Sequence, residues 1–242
     1  RTPVKDFDLL GVTLQYEMSY TNILEALDLA GIPLRREDRT DGPFVICGGP
    51  CAFNPEPLAP FVDLIALGDG EEETLQTIDV YKKWKVSGLP REEYLKMAAQ
   101  IPGIYVPSLY DVSYHADGAV KAVVPKPDSG APEIVHKAMV RDLTAADYPE
   151  KLIVPYGEIV HNRIMLEIFR GCTRGCRFCQ AGMIYRPVRE RSLERLMGMA
   201  EKLVSATGYD EISLMSLSSG DYSCLPELAH QMVEKFAQRR VK

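Results

Sequence analysis

Cys172-Thr-Arg-Gly-Cys176-Arg-Phe-Cys179 sets three thiols at C-x3-C-x2-C spacing, with an aromatic residue just before the last. Three thiolates this close together can hold three corners of a cubane iron–sulfur cluster. Such clusters usually recruit a fourth cysteine, so a three-cysteine set leaves one iron open to a ligand. The same logic makes catalytic zinc sites three-ligand sites. A structural zinc site would want a fourth donor, and the later chain offers only Cys224 and His230, without ligand spacing. The preceding segment, Arg163 to Phe169, is apolar and branched enough for a buried strand. The cysteines therefore lie in the loop leaving that strand's C-terminal end, where α/β sheets and barrels keep their chemistry.

The elements that follow fit that placement. Ser192 predicts a helix N-cap, with Leu193, Leu196, Ala200, Leu203 and Val204 on one face and Gly208 near the end. Asp210 to Leu217 reads as a second strand, running into the polar loop Ser218-Ser-Gly-Asp-Tyr222. A further helix is expected from about Pro226 to Phe236. Strand, loop and helix, twice over, is the repeat of a parallel barrel. The cysteine spacing and its aromatic resemble the signature of the radical S-adenosylmethionine (SAM) superfamily. The resemblance implies a [4Fe–4S] cluster on Cys172, Cys176 and Cys179, with its open iron chelating SAM. Reductive cleavage of SAM would then give a 5′-deoxyadenosyl radical that abstracts hydrogen from a substrate. Phe178 would lie against the adenine. Ser219-Gly220-Asp221 stands where the family has a Gly-Gly-Glu-like motif for the SAM amino group, a carboxylate beside an ammonium being a strong contact. The alternative for these residues is plain turn chemistry. Arg186, Arg189 and Arg191 read either as contacts to a SAM carboxylate or substrate phosphate, or as solvated charges.

The N-terminal region alternates strands and helices: a strand at Phe7 to Leu14, a helix from Asn22 to Ala30, and a strand at Pro43 to Cys47. A short helix at Pro57 to Val62, a strand at Leu64 to Leu67 and a helix ending near Trp84 follow. The acids Glu71 to Glu73 suit the positive end of that last helix. The pattern predicts a doubly wound parallel sheet that binds ligands at its glycine-ended strands. This region resembles the cobalamin-binding domains that precede many radical SAM barrels. Thr13, Gly48 and Gly49 carry the likeness, with Gly68-Asp-Gly-Glu71. Thr13 and Gln15 depart from that fold's Ser-x-Leu loop, and no Asp-x-His-x-x-Gly supplies an axial histidine. Two readings stand: a cobalamin site, or a vestigial sheet that packs without ligand. Cys47 and Cys51 lack further ligands nearby and read as small apolar residues.

Ile104 to Tyr114 and Ala119 to Val124 flank Asp117-Gly118 as a hairpin, and Pro125 to Pro132 reads as a linker. The expected organisation is a cobalamin-binding-like domain over 1–90, hairpin and linker over 91–160, and the start of a barrel over 161–242. Both ends look truncated, since the chain opens at Arg1 and holds only about two βα units after Cys179. Phrases such as Ile46 to Pro55, Tyr105 to Tyr110 and Arg186 to Ser192 resemble a poorly characterised bacterial subfamily of cobalamin-domain radical SAM proteins. The net charge of −6 gives no overall nucleic-acid footprint. No apolar run approaches a membrane span. Six cysteines without a secretory signal point to a reducing cytoplasm. The function expected is a radical SAM enzyme, with or without cobalamin, served by a flavodoxin- or ferredoxin-type reductant and acting on an unknown substrate such as RNA or a peptide. The alternative is a non-catalytic iron–sulfur protein used as a redox sensor or interaction module.

Overall fold

The computed structural model describes residues 2–157, 159–239 and 241. They divide into two compact units, 1–139 and 140–242. In the first unit the elements are β1 (Leu9–Thr13), α1 (Tyr20–Leu29), β2 (Phe44–Gly48), β3 (Leu64–Ala66), α2 (Gly70–Lys85), α3 (Arg91–Ala98) and β4 (Ile104–Tyr105). A hairpin of β5 (Tyr110–Tyr114) and β6 (Val120–Pro125) follows. The sheet runs β1-β2-β3-β4, with β1 to β3 parallel and β4 antiparallel. Leu9 pairs with Phe44 and Thr13 with Gly48, so β1 and β2 end level. β2 is the buried centre, with Phe44, Val45 and Cys47 at 1% exposure or less, as its unbroken apolar run requires.

Four expectations change here. The strand order does not reverse among the described residues, so the sheet is mixed and sequential rather than doubly wound and all-parallel. Ile104–Tyr105 belongs to this sheet rather than to the hairpin arm, because Tyr105 pairs with Ile65. The first unit also continues past residue 90: α3 and β4 bury Tyr94, Leu95, Ala98 and Ile104 in the same core as β2. Helix α3 has only eight residues and a weak apolar stripe, too short a pattern to read from sequence. The short helix at Pro57 to Val62 is a single 3-10 turn at Glu56–Leu58.

A polar knot also lies in this core. Asp63 accepts the Val45 N–H at 2.8 Å and pairs with Arg39 at 3.2 Å and Arg91 at 3.3 Å. Arg39 gives its remaining hydrogen bonds to the carbonyls of Pro33, Leu34 and Phe61. The buried charges are tolerated because they are paired and both Arg39 Nη atoms are answered, Arg39 Nε alone in that guanidinium lacking a partner.

The second unit holds β7 (Ile164–Glu167), β8 (Phe169–Arg170), α4 (Ala181–Ile184), β9 (Arg189–Glu190), α5 (Leu193–Thr207), β10 (Ile212–Met215) and α6 (Leu225–Phe236). β7 and β10 are parallel neighbours, Ile164 opposite Ile212 and Glu167 opposite Met215, with α5 as the connection. Ser192 caps α5 by accepting the Arg195 N–H at 3.2 Å, and Gly208 ends it at φ +73°. Leu196, Met199, Ala200 and Leu203 recur at helical spacing and are buried with Ile164, Leu166 and Ile168. This core fixes where the loops after β8 and β10 start.

Candidate functional site

The cysteine loop is rooted by Gly171. Its φ is +92°, and a Cβ there would sit 2.5 Å from the Pro187 carbonyl oxygen. Only glycine lets the chain leave β8 this close to another backbone. Beyond it, Cys172 and Cys179 are half-buried and Cys176 is exposed. None of residues 171–180 lies in a helix or strand. The Arg174 N–H points to Cys172 Sγ at 3.5 Å, and the Cys179 N–H donates to the Cys176 carbonyl at 3.1 Å. The three thiols share one loop, yet among the described residues no three His, Cys, Asp or Glu side chains converge as a metal-holding group. The donor set fits an iron–sulfur cluster: three accessible thiols, an amide hydrogen bond to sulfur of the kind that tunes such clusters, and no regular element to unwind.

The loop after β10 comes to meet it. Arg174 donates to Asp221 through Nε, at 2.7 Å to Oδ2, and through Nη2 to Oδ1. Ser218 Oγ donates to Asp221 Oδ2 at 2.7 Å. The hydrogen bonds from Arg174 first, then Ser218, hold the Asp221 carboxyl below its ordinary range. Ser219 Oγ lies 2.9 Å from Ser216 Oγ, closing a tight turn, and Gly220 is exposed. Phe178 is 92% exposed, an unusual state for a large aromatic. The structure thus joins Asp221 to the cysteine loop and leaves the Phe178 ring in solvent.

The arginines after that loop correct the sequence reading for two of its three members. Arg189 and Arg191 are buried at 9% and 1% exposure, neither solvated nor available to a ligand. Arg189 donates to the Val140 carbonyl at 2.8 Å. Arg191 pairs with Glu167 at 2.8 Å, donates to the Leu143 carbonyl and lies over the Tyr148 ring. Its own carbonyl accepts the Tyr222 hydroxyl at 2.9 Å. Glu167 also takes Arg170, at 2.8 and 3.2 Å. Burial pushes the Glu167 carboxyl up, but hydrogen bonds from Arg170 and Arg191 outweigh it and hold the group below its ordinary value. The end of β7, the root of the cysteine loop and the Tyr222 end of the β10 loop are therefore tied to one carboxylate. Sequence reading missed this because Glu167 and Arg191 lie 24 residues apart, with no periodicity to connect them.

In the first unit, Thr13, Gly48 and Gly49 line one cavity of about 560 Å³ between the sheet face and α2. Gly11 and Gly68 share it, so strand ends and glycines do gather as expected. Gly49 has a reason within the chain itself: at φ +98° its Cβ would meet the Leu14 carbonyl oxygen at 2.9 Å. Glu73 forms the far wall, 5% exposed, with Thr77 Oγ1 donating to its Oε1 at 2.8 Å. Burial pushes its carboxyl up, only partly offset by the Thr77 hydrogen bond. Sequence reading took Glu73 for one of three helix-end acids. The four-residue steps from Glu73 to Thr77 to Tyr81, all buried, were the signal that separates it.

With the geometry in place, residues 1–107 match the family described as radical SAM proteins, N-terminal. Those residues thus carry the N-terminal region of the radical SAM proteins. An uncharacterised protein of Methanocaldococcus jannaschii is 31% identical over 231 residues, covering 94% of this chain and 42% of that protein. Two structures of the radical SAM methyltransferase TsrM from Kitasatospora setae share the fold. One, with tryptophan substrate and a SAM analogue bound, has TM-score 0.53 at 14% identity, covering 98% of this chain and 41% of that one. The other, with cobalamin and a [4Fe-4S] cluster, has TM-score 0.56 at 13% identity, covering 96% and 43%. The chain spans about two-fifths of each protein it matches. What it shares with these structures is a mixed α/β fold with parallel strands. No described helix is long and apolar enough to cross a membrane.

Proposed function

We propose that this chain forms part of a radical SAM enzyme in which Cys172, Cys176 and Cys179 hold a [4Fe–4S] cluster and Asp221 binds the SAM ammonium. The observation that carries the reading is the Arg174–Asp221 contact, which sets a carboxylate suited to an ammonium beside the cysteine loop. A cluster bound there supplies single-electron reduction of SAM, fed by a flavodoxin- or ferredoxin-type donor. The chain's own residues bind and orient. Glu167, through Arg170 and Arg191, fixes the roots of both loops. The exposed Phe178 ring offers an apolar face to adenine. Gly220 leaves room at the turn, and Ser218 holds Asp221 oriented. The second unit then forms the opening βα repeats of a barrel, and the cavity holding Thr13, Gly48 and Gly49 is the place for cobalamin, supported by the TsrM likeness in fold.

The test is anaerobic reconstitution of the full-length protein with iron and sulfide. The reading expects about four iron per chain, a corrin band where cobalamin is supplied, and 5′-deoxyadenosine when dithionite and SAM are added. Cys176→Ser loses the cluster iron. A fully loaded wild-type protein that cleaves no SAM would leave only a structural or sensing role for the cluster.

A further inference from the structure

Two buried polar atoms without a partner, Arg39 Nε and Ser108 Oγ, belong to side chains on the wall of one cavity of about 700 Å³. Buried donors are ordinarily satisfied, so two orphans in one place point to an acceptor from outside the chain. The wall forms at the N-terminal edge of the first unit's sheet, since Asp63 precedes β3 and Ser108 follows the antiparallel β4. Thr13 and Gly48 end their strands at the other edge. Charge on the wall points the same way. Arg36, Arg39 and Arg91 share a single shielded carboxylate, Asp63, which pairs with Arg39 at 3.2 Å and Arg91 at 3.3 Å. Arg36 spends Nε on the Ala59 carbonyl at 2.9 Å and pairs with no carboxylate among the described residues. Burial holds the Arg39 guanidinium below its ordinary value, Asp63 working against this and the like charges of Arg91 and Arg36 adding to it. Lys96 is already engaged by Glu93 at 2.7 Å, and the other acids of the wall, Glu37 and Glu92, are exposed. Three guanidiniums against one shielded carboxylate leave an excess of two positive charges.

We infer that this cavity binds a phosphate dianion, free or as the monoester of a small molecule, with Arg36 as the outer fork and Arg39 Nε and Ser108 Oγ as inner donors. The site stands independent of the radical SAM reading above. A guanidinium matches two phosphate oxygens in parallel hydrogen bonds. A dianion balances both excess charges, whereas a carboxylate balances one. Asp63 and three carbonyls fix Arg39 in advance, and the Ser108 hydroxyl turns about a single bond to reach a ligand. The volume exceeds that of one phosphate and lies in the range of small-molecule pockets, which leaves room for an organic body.

Isothermal titration calorimetry of the full-length protein at low salt and pH 8, where phosphate is a dianion, tests this with inorganic phosphate and with ribose 5-phosphate. Wild type should bind at least one of them saturably, with Kd of about 1 mM or tighter. Arg36→Gln should weaken that binding about tenfold, Arg36→Lys less, and Ser108→Ala about threefold. Arg35→Gln removes a neighbouring charge that lies over the Phe61 ring and off the cavity wall, and should leave binding within about twofold. Tighter binding of ribose 5-phosphate assigns the site to a phosphomonoester, and tighter binding of inorganic phosphate assigns it to the free ion. No saturable binding of either by wild type overturns the site. Equal losses in Arg35→Gln and Arg36→Gln overturn it too, since surface charge alone would then explain the effect. Should Arg36→Gln not fold, Ser108→Ala decides alone, and unchanged binding there sinks the inference.

Discussion

Each unit holds a glutamate largely shielded from solvent beside its candidate site, and the two are handled in opposite ways. Glu167, at the end of β7, is compensated by two guanidiniums, one of them with a side chain at 0% exposure. Its charge is required: without it Arg191 becomes a bare cation in a core. Glu73, on the cavity wall of the first unit, receives one neutral hydrogen bond from Thr77, and burial works against its charge. The difference separates a carboxylate that is part of the scaffold from one that the fold carries at a cost. Carried groups of the second kind cluster at binding sites, which agrees with its place opposite Thr13, Gly48 and Gly49.

The largest effect should come from breaking the scaffold pair. Glu167→Gln leaves Arg191 uncompensated and should cost about 3 kcal/mol or more. Hydrogen exchange of peptides spanning α5 and β10 would read it as lost protection; intact protection would refute the scaffold role. Arg191→Met, which removes the charge and fills the space, should cost clearly less than Glu167→Gln does. The reverse order would mean that the arginine's bonds to the Leu143 carbonyl and the Tyr148 ring matter more than charge balance.

A smaller effect is expected from acid. The Glu167 carboxyl sits below its ordinary value of 4.5 in the folded state, so its stabilisation is complete above that value and fades as pH falls through the folded value. The Glu73 carboxyl sits above 4.5, so the fold favours its protonated form and loses stability as pH rises through that interval. Exchange protection of α5 should therefore drop on acidification, while that of α2 holds or improves. Parallel loss in both units would break the comparison.

The smallest change belongs to Glu73→Gln, which keeps an acceptor for Thr77 and removes the buried charge. At neutral pH it should alter α2 stability by no more than about 1 kcal/mol, on the stabilising side. A clear destabilisation by urea unfolding would show that Glu73 has an ionic partner that matters.

Much of the local structure was legible beforehand. The cap at Ser192, the stripe from Leu196 to Leu203 and the stop at Gly208 lie within a few residues of each other, so α5 could be read from spacing alone. The same holds for the Asp117-Gly118 hairpin, where Ala119 N–H bonds to Asp117 Oδ1 at 3.0 Å. The sheet order was less legible. A strand of two residues such as β4 carries too little pattern, and whether the next strand reverses depends on what it packs against. The arginines were misread for a related reason: composition shows their charge but not the carbonyls of Val140 and Leu143 that absorb it.

By itself the sequence determined that three thiols share one loop, that a strand precedes it and a capped helix follows, and that glycines end the strands of the first unit. These are short-range facts, set by periodicity, capping and the reach of a few residues of chain. The tertiary structure alone decided that Arg174 meets Asp221 across 47 residues, that Glu167 gathers two arginines, and that Gly49 lies against Leu14. Charge pairs and backbone contacts at such separations leave no trace in local pattern. They exist only once burial has drawn the strand ends together and chosen which polar groups must answer one another.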